Sequence, residues 1–144
     1  MQNLLAQAPT IVQEGRIVGA SGDGRIPFID TRDIAAVAAA ALTRSGHDGQ
    51  KHILTGPEAL SYYDVARILS EVTGRAVEYH DRFDETRDRN TLAAHQRAGG
   101  KTAIVHDTVR RILGRDPRSF AEFAKDHADM FRPRHEEREF EVSP

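Results

Sequence analysis

The chain has no cysteine. Its absence excludes a disulfide scaffold and a thiolate zinc site, and a reducing compartment is the simplest expectation. No charge sign dominates: 20 basic against 22 acidic side chains leave −2 over 144 residues. A nucleic-acid or membrane-surface protein needs a basic face, so the balance argues against both kinds of partner. No long hydrophobic run is present. The longest near-continuous apolar stretch, Ile34 to Leu42, falls far short of the roughly 20 residues that cross a bilayer. Residues 1–10 carry no positive charge and no signal-like apolar block, so no export signal is expected and the cytoplasm is the expected location. Internal repeats and low-complexity tracts are absent too. What remains is one ordinary domain's length, with 39% apolar residues, enough for a core without much to spare.

Met1 to Ala8 reads as one or two helical turns stopped near Pro9. Arg16–Val18, Ile26–Ile29, Ile53–Thr55 and Ala76–Tyr79 read as short strands, with Pro27 keeping the second near an edge. Asp33 is the expected N-cap of a helix over 33–43, with Ile34, Val37, Ala38, Ala41 and Leu42 on one face. The alanines on its other faces predict packing on more than one side. Ser61 and Asp64 form a variant capping box for a helix over 62–73, closed by Gly74. Further helices are expected over 105–113 and, after a Ser119/Glu122 capping box, over 119–131. Residues 81–103 are polar and read as a poorly packed helix or mobile loop. Residues 132–144 are charged, lack any period and read as a disordered tail. The strand–helix alternation predicts an α/β fold over 1–131.

Chemistry is sparse. Gly19-x-x-Gly22-x-Gly24 follows a strand, but a dinucleotide site needs a helix directly after its glycine turn, and Arg25–Ile29 is strand-like. A hairpin-like turn is the better account. Tyr62 and Tyr63 lack the lysine four residues on that short-chain dehydrogenases use; Ala66 and Arg67 stand there, and Arg67 reads as a surface cation. The seven histidines show no H-x-x-x-H spacing, and Asp81, Asp84 and Asp88 lack the spacing of a calcium loop, so no metal site is expected. His127 sits on an apolar helix face and reads as packed or hydrogen-bonded. Asp30-Thr31-Arg32-Asp33 reads as an architectural corner in which Arg32 pairs with Asp30 or with a more distant carboxylate.

Three stretches carry a resemblance. Arg25-Ile-Pro-Phe-Ile-Asp-Thr-Arg-Asp-Ile-Ala-Ala-Val-Ala, Leu54-Thr-Gly-Pro-Glu-Ala-Leu-Ser-Tyr running into Val65-Ala-Arg-Ile-Leu-Ser-Glu-Val-Thr-Gly-Arg, and Pro117-Arg-Ser-Phe-Ala-Glu-Phe-Ala-Lys-Asp-His-Ala-Asp resemble the NmrA-like branch of atypical short-chain dehydrogenase/reductases. Met1-Gln2-Asn3 resembles the segment after that family's sixth sheet strand. The resemblance covers about residues 1–80 and 104–131. It implies the C-terminal, substrate-side portion of a Rossmann-type NAD(P)-binding fold with its small subdomain, the N-terminal Rossmann half being absent.

The resemblance places Asn3 near the nicotinamide end of the cleft. It places Thr55, Gly56 and Pro57 in the loop ending the last core-sheet strand, and Phe28 and Asp30 on the strand entering the small domain. Cofactor-binding glycines do not carry over. The parent family uses NAD(P)H on small molecules such as quinones or azo dyes, and some members are redox-sensing regulators. The expectation is a substrate-side fragment of an NAD(P)H-dependent oxidoreductase, inactive and unable to bind NAD(P)H alone. The alternatives are a non-enzymatic regulatory module or a degenerate remnant. Expected partners are the missing Rossmann half or a second copy of the chain.

Overall fold

The computed structural model describes residues 1–82 and 103–133. The expectations for 81–103, for the tail over 132–144, and for Asp84 and Asp88 lie wholly or almost wholly outside those residues.

A 3-10 segment, Gln2–Gln7, runs directly into helix α1, Ala8–Glu14. Here the expected stop is a start. Pro9 stands in the first turn of α1, where a missing N–H costs nothing and the fixed φ suits the helix. Gly15 closes α1 with φ 65° and leads into β1, Arg16–Gly19. β1 pairs in parallel with β2, Glu78–Asp81, with Ile17 opposite Tyr79. β2 begins two residues later than expected because Val77 is tied to a helix instead. Its N–H donates to Ser70 Oγ at 2.9 Å, and its carbonyl accepts from the same hydroxyl at 3.2 Å.

The other two expected strands do not join a sheet. Ile26 makes a single antiparallel bridge to Leu60, with N–H to carbonyl distances of 2.8 and 3.0 Å. Pro27 has no N–H to continue it. Residues 53–55 make no backbone ladder; Thr55 Oγ1 instead accepts from His106 N at 2.9 Å and donates to His106 O at 3.3 Å. The turn after β1 holds Gly22 at φ 52°, and Gly24 N donates to Ser21 O at 2.9 Å. It is a turn but not a hairpin, because Arg25–Ile29 does not fold back on β1.

Helix α2 is Thr31–Thr43, and its N-cap is Asp30 rather than Asp33. Its buried face is Asp33, Val37 and Ala40, packed on α4, Thr108–Leu113. Of the apolar face expected from the sequence, Val37 is buried while Ile34, Ala38 and Leu42 are exposed. α4 starts later than residue 105 because Thr55 takes both backbone groups of His106.

Helix α3, Tyr62–Thr73, has the expected Ser61/Asp64 capping box and ends at Gly74 with φ 71°. It buries Val65, Ile68 and Leu69 against β1 and β2 and against α5, Phe120–Asp126. α5 has its own box, Ser119/Glu122, and buries Phe120, Phe123 and Ala124. The helix expected to reach 131 changes after Asp126 into a 3-10 turn, Ala128–Phe131. His127 is hydrogen-bonded as expected, Nδ1 lying 2.9 Å from Phe123 O.

Two fully buried carboxylates pin these pieces together. Asp30 accepts from Arg32 N at 2.8 Å, from Arg32 Nε and Nη2 at 3.0 and 2.7 Å, and from Gln2 Nε2 at 3.0 Å. Arg32 reaches on to Asp126 at 2.7 Å, so both partners read from the sequence are present. Asp33 accepts from Arg115 Nη2 at 2.8 Å and from Arg118 N and Nη1 at 2.7 and 2.6 Å.

The hydrogen bonds from Arg32 hold the Asp30 carboxyl far below the usual carboxylate range. A depressed folded-state pKa stabilises above the unfolded value of about 3.9 and is lost as pH falls toward the folded one. Thermal stability should therefore drop on acidification below about pH 4. Asp30→Asn should lose about 1.5–3 kcal/mol at neutral pH and show a flatter acid limb. Melts followed by circular dichroism across this range check both outcomes.

Candidate functional site

Segment 26–29 is the spine of the site. Phe28 meets Tyr62, at the start of α3, edge-on at 5.5 Å and Phe120, at the start of α5, at 6.0 Å. Tyr62 stacks on Tyr79 of β2 at 5.3 Å, and Tyr63 meets the same ring edge-on at 4.9 Å. The Tyr79 hydroxyl accepts from Ser21 N at 2.9 Å, which fixes the ladder against the turn after β1. Both capping boxes contribute here, because they fix where Tyr62 and Phe120 begin their helices.

Between this ladder and the 3-10 segment lies a cavity of 330 Å³ bounded by Asn3, Leu4, Ile26, Phe28, Tyr62 and Phe120. Most of that wall is apolar. Asn3 and Tyr62 supply its polar side chains, and neither makes a side-chain hydrogen bond among the described residues. Burial raises the Tyr62 phenol above its ordinary value, so it stays protonated and able to donate at neutral pH. Such a groove suits an uncharged ring system with one or two polar atoms.

Of the residues singled out from the sequence, Asn3 and Phe28 line the cavity. Thr55 and Gly56 are buried behind its spine, and Pro57 is exposed. Gly56 N donates to Pro27 O at 3.2 Å, and a Cβ on Gly56 would stand 1.8 Å from Phe28 O. Asp30 is the architectural cap already described. Tyr62 and Phe120 were not identified as lining residues; helix spacing places each on an apolar face but gives no sign that both meet Phe28. Among the described residues Tyr63 has no cationic partner, and Arg67 is exposed and paired with Glu71 at 2.7 Å. Among the described residues, no three histidine or carboxylate side chains gather as a metal site. None of the described helices is long and apolar enough to cross a membrane.

Three of the five described helix N-termini are closed to a diphosphate. The N-termini of α2, α3 and α5 are each occupied by a carboxylate of the chain itself: Asp30, Asp64 and Glu122. Hydrogen bonds from Ser61 lower the Asp64 pKa, and those from Ser119 lower that of Glu122. The Gly19–Gly24 turn leads to no helix, and its Ser21 amide is spent on Tyr79. These three N-termini and this turn therefore do not fit the pyrophosphate of a dinucleotide.

No family model matches the chain. Individual proteins do. The chain is 40% identical to an NAD(P)H azoreductase of Xenophilus azovorans over 149 aligned positions, covering 91% of this chain and 51% of that protein. An uncharacterised oxidoreductase of Bacillus subtilis is also 40% identical, with 89% and 50% covered. Among solved structures, an NADPH-dependent quinone oxidoreductase of Escherichia coli superposes with a TM-score of 0.74 at 26% identity, over 89% of this chain and 51% of that one. The chain is thus similar to NAD(P)H-dependent reductases, which is consistent with the NmrA-like resemblance of its sequence. It spans about half the length of the relatives it matches. Its α/β fold with a parallel strand pair agrees with this match to a Rossmann-type reductase.

The close approach behind the spine is testable. Gly56→Ala sets a methyl group against the Phe28 carbonyl, and the backbone has to move to admit it. A loss of about 1–3 kcal/mol is expected in urea unfolding. Wild-type stability in this variant would show that 26–29 and the 55–57 loop do not touch as described.

Proposed function

We propose that the chain is the C-terminal, substrate-side part of an NAD(P)H-dependent reductase and is inactive until a dinucleotide-binding half joins it. One observation carries this: a 40% match to an NAD(P)H azoreductase that takes in 91% of this chain but 51% of the relative, in a chain where the N-termini of α2, α3 and α5 are taken by its own carboxylates. The dinucleotide, bound elsewhere, supplies the hydride. This chain's contribution is the groove. Leu4, Ile26, Phe28 and Phe120 exclude water from a flat, uncharged ring, while the Asn3 amide and the Tyr62 phenol hold its polar atom. Thr55 and Gly56 keep the spine in place, with Pro57 completing their loop at the cleft rim. A redox-sensing module is the second reading. It is favoured by the lack of a carboxylate or histidine among the described residues that line the cavity.

NADPH fluorescence titration of the chain alone should show no saturation at low micromolar concentration. Saturable binding abolished by Gly22→Val would refute the proposal. Joined covalently to the part of the Xenophilus azovorans azoreductase that it does not match, the chain should bind NADPH and reduce a quinone or an azo dye. Binding without reduction would select the sensor reading.

A further inference from the structure

The turn that follows α2 brings two imidazoles together. Arg44 caps the helix and donates from Nη1 to Ile112 O at 3.0 Å, so the chain leaves α2 from a fixed point. Gly46 and Gly49 then take φ of 90° and 67°, angles that suit glycine. The chain reverses here, with Gln50 N donating to His47 O at 3.0 Å. Thr55, tied to both backbone groups of His106, anchors the far end. His47 and His52 meet across this turn. Nδ1 of His47 lies 3.1 Å from Nε2 of His52, and the rings stand edge to face with centres 5.2 Å apart. The two are five positions apart, a spacing with no helical period, so no sequence motif announces the pair.

A neutral pair can share one ring proton across that gap, and the same gap suits one metal ion. Zinc–imidazole bonds of about 2.0–2.1 Å to two nitrogens 3.1 Å apart meet at about 95–100°, between the octahedral and tetrahedral angles. Coordination needs a lone pair on both facing nitrogens. The opposite nitrogens, Nε2 of His47 and Nδ1 of His52, make no hydrogen bond among the described residues. Neither tautomer is pinned, so the shared proton can move to the far side of its ring. Both residues are half-buried, sheltered but reachable. Other described histidines are engaged differently: His127 Nδ1 lies 2.9 Å from Phe123 O, and His80 faces Glu78 at 3.7 Å.

The geometry points to a binding site formed by His47 and His52 for one divalent metal ion of the zinc or nickel type, with water completing its coordination. Imidazole suits such ions, whereas magnesium and calcium take oxygen ligands. Asp48 is the single carboxylate of the turn and is exposed, which leaves too few oxygen donors for a hard cation. With two protein ligands the ion is exchangeable, and its binding closes the turn after α2 into a ring. The site shares no residue with the aromatic cavity and stands whether or not the chain is part of a reductase.

Calorimetric titration of the full chain with zinc chloride at neutral pH should show one saturable site in the micromolar range, and magnesium chloride should show none. In nitrogen NMR spectra of the histidine rings, His47 Nδ1 and His52 Nε2 should shift together as zinc is added. His47→Gln and His52→Gln should each weaken binding at least about tenfold, since losing an outer partner of a metal ligand already costs that much. Both side chains lie in a surface turn, so the metal-free melting curves should stay near wild type. Should either variant melt early, the wild-type ring spectra decide alone. No saturable zinc binding in the micromolar range, unshifted ring signals of His47 and His52, or affinity undiminished in either variant would overturn the inference. So would zinc shifts confined to the other histidines.

Discussion

Two carboxylates with no exposure to solvent, Asp30 and Asp33, govern how this chain closes. Each stands at the start of α2, and each is met by guanidinium forks. Burying a carboxylate without partners is very costly, so their positions are fixed by where the arginines can reach. Asp30 takes Arg32, which extends to Asp126 and so locates α5 relative to α2. Asp33 takes Arg115 and Arg118, which bring the approach to α5 under α2. Gln2 joins the first carboxylate and anchors the 3-10 segment. The groove lies between the elements that these contacts hold. Its wall runs from Asn3 through Phe28, two residues before Asp30, to Phe120, at the start of α5.

The same economy governs three helix N-termini. A helix N-terminus is a natural anion site, and a dinucleotide-binding protein leaves one open for the pyrophosphate. In this chain the N-termini of α2, α3 and α5 are taken by Asp30, Asp64 and Glu122. The helices that start nearest the aromatic cavity therefore spend their N-termini on the chain's own carboxylates, and the cavity wall is left mostly apolar.

Local signals were legible. Ser61 with Asp64, Ser119 with Glu122, and Gly74 mark helix ends through contacts within a few residues, and the structure has them where expected. β1 was legible as well. What failed depended on distant partners. Pro9 fits either the end of one helix or the first turn of the next, and only the chain before it decides. Asp30 and Asp33 both suit an N-cap, and Arg115 and Arg118, more than 80 positions away, recruit the second for burial. Ile26–Ile29 and Ile53–Thr55 have strand composition, but composition reports fitness for a pleated, half-buried surface and does not supply a neighbour. In the site, Asn3 and Phe28 were reached through family resemblance. Tyr62 and Phe120 needed the packing of α3 on α5 to be seen.

Native-state amide hydrogen exchange tests most directly the central claim that the buried Asp30 and Asp33 hold the elements around the core. The account predicts slow exchange at Ile17, Leu69 and Phe123 in the wild type, and clearly faster exchange at Phe123 in Asp33→Ala. Exchange at Phe123 that is as slow in Asp33→Ala as in the wild type would contradict it.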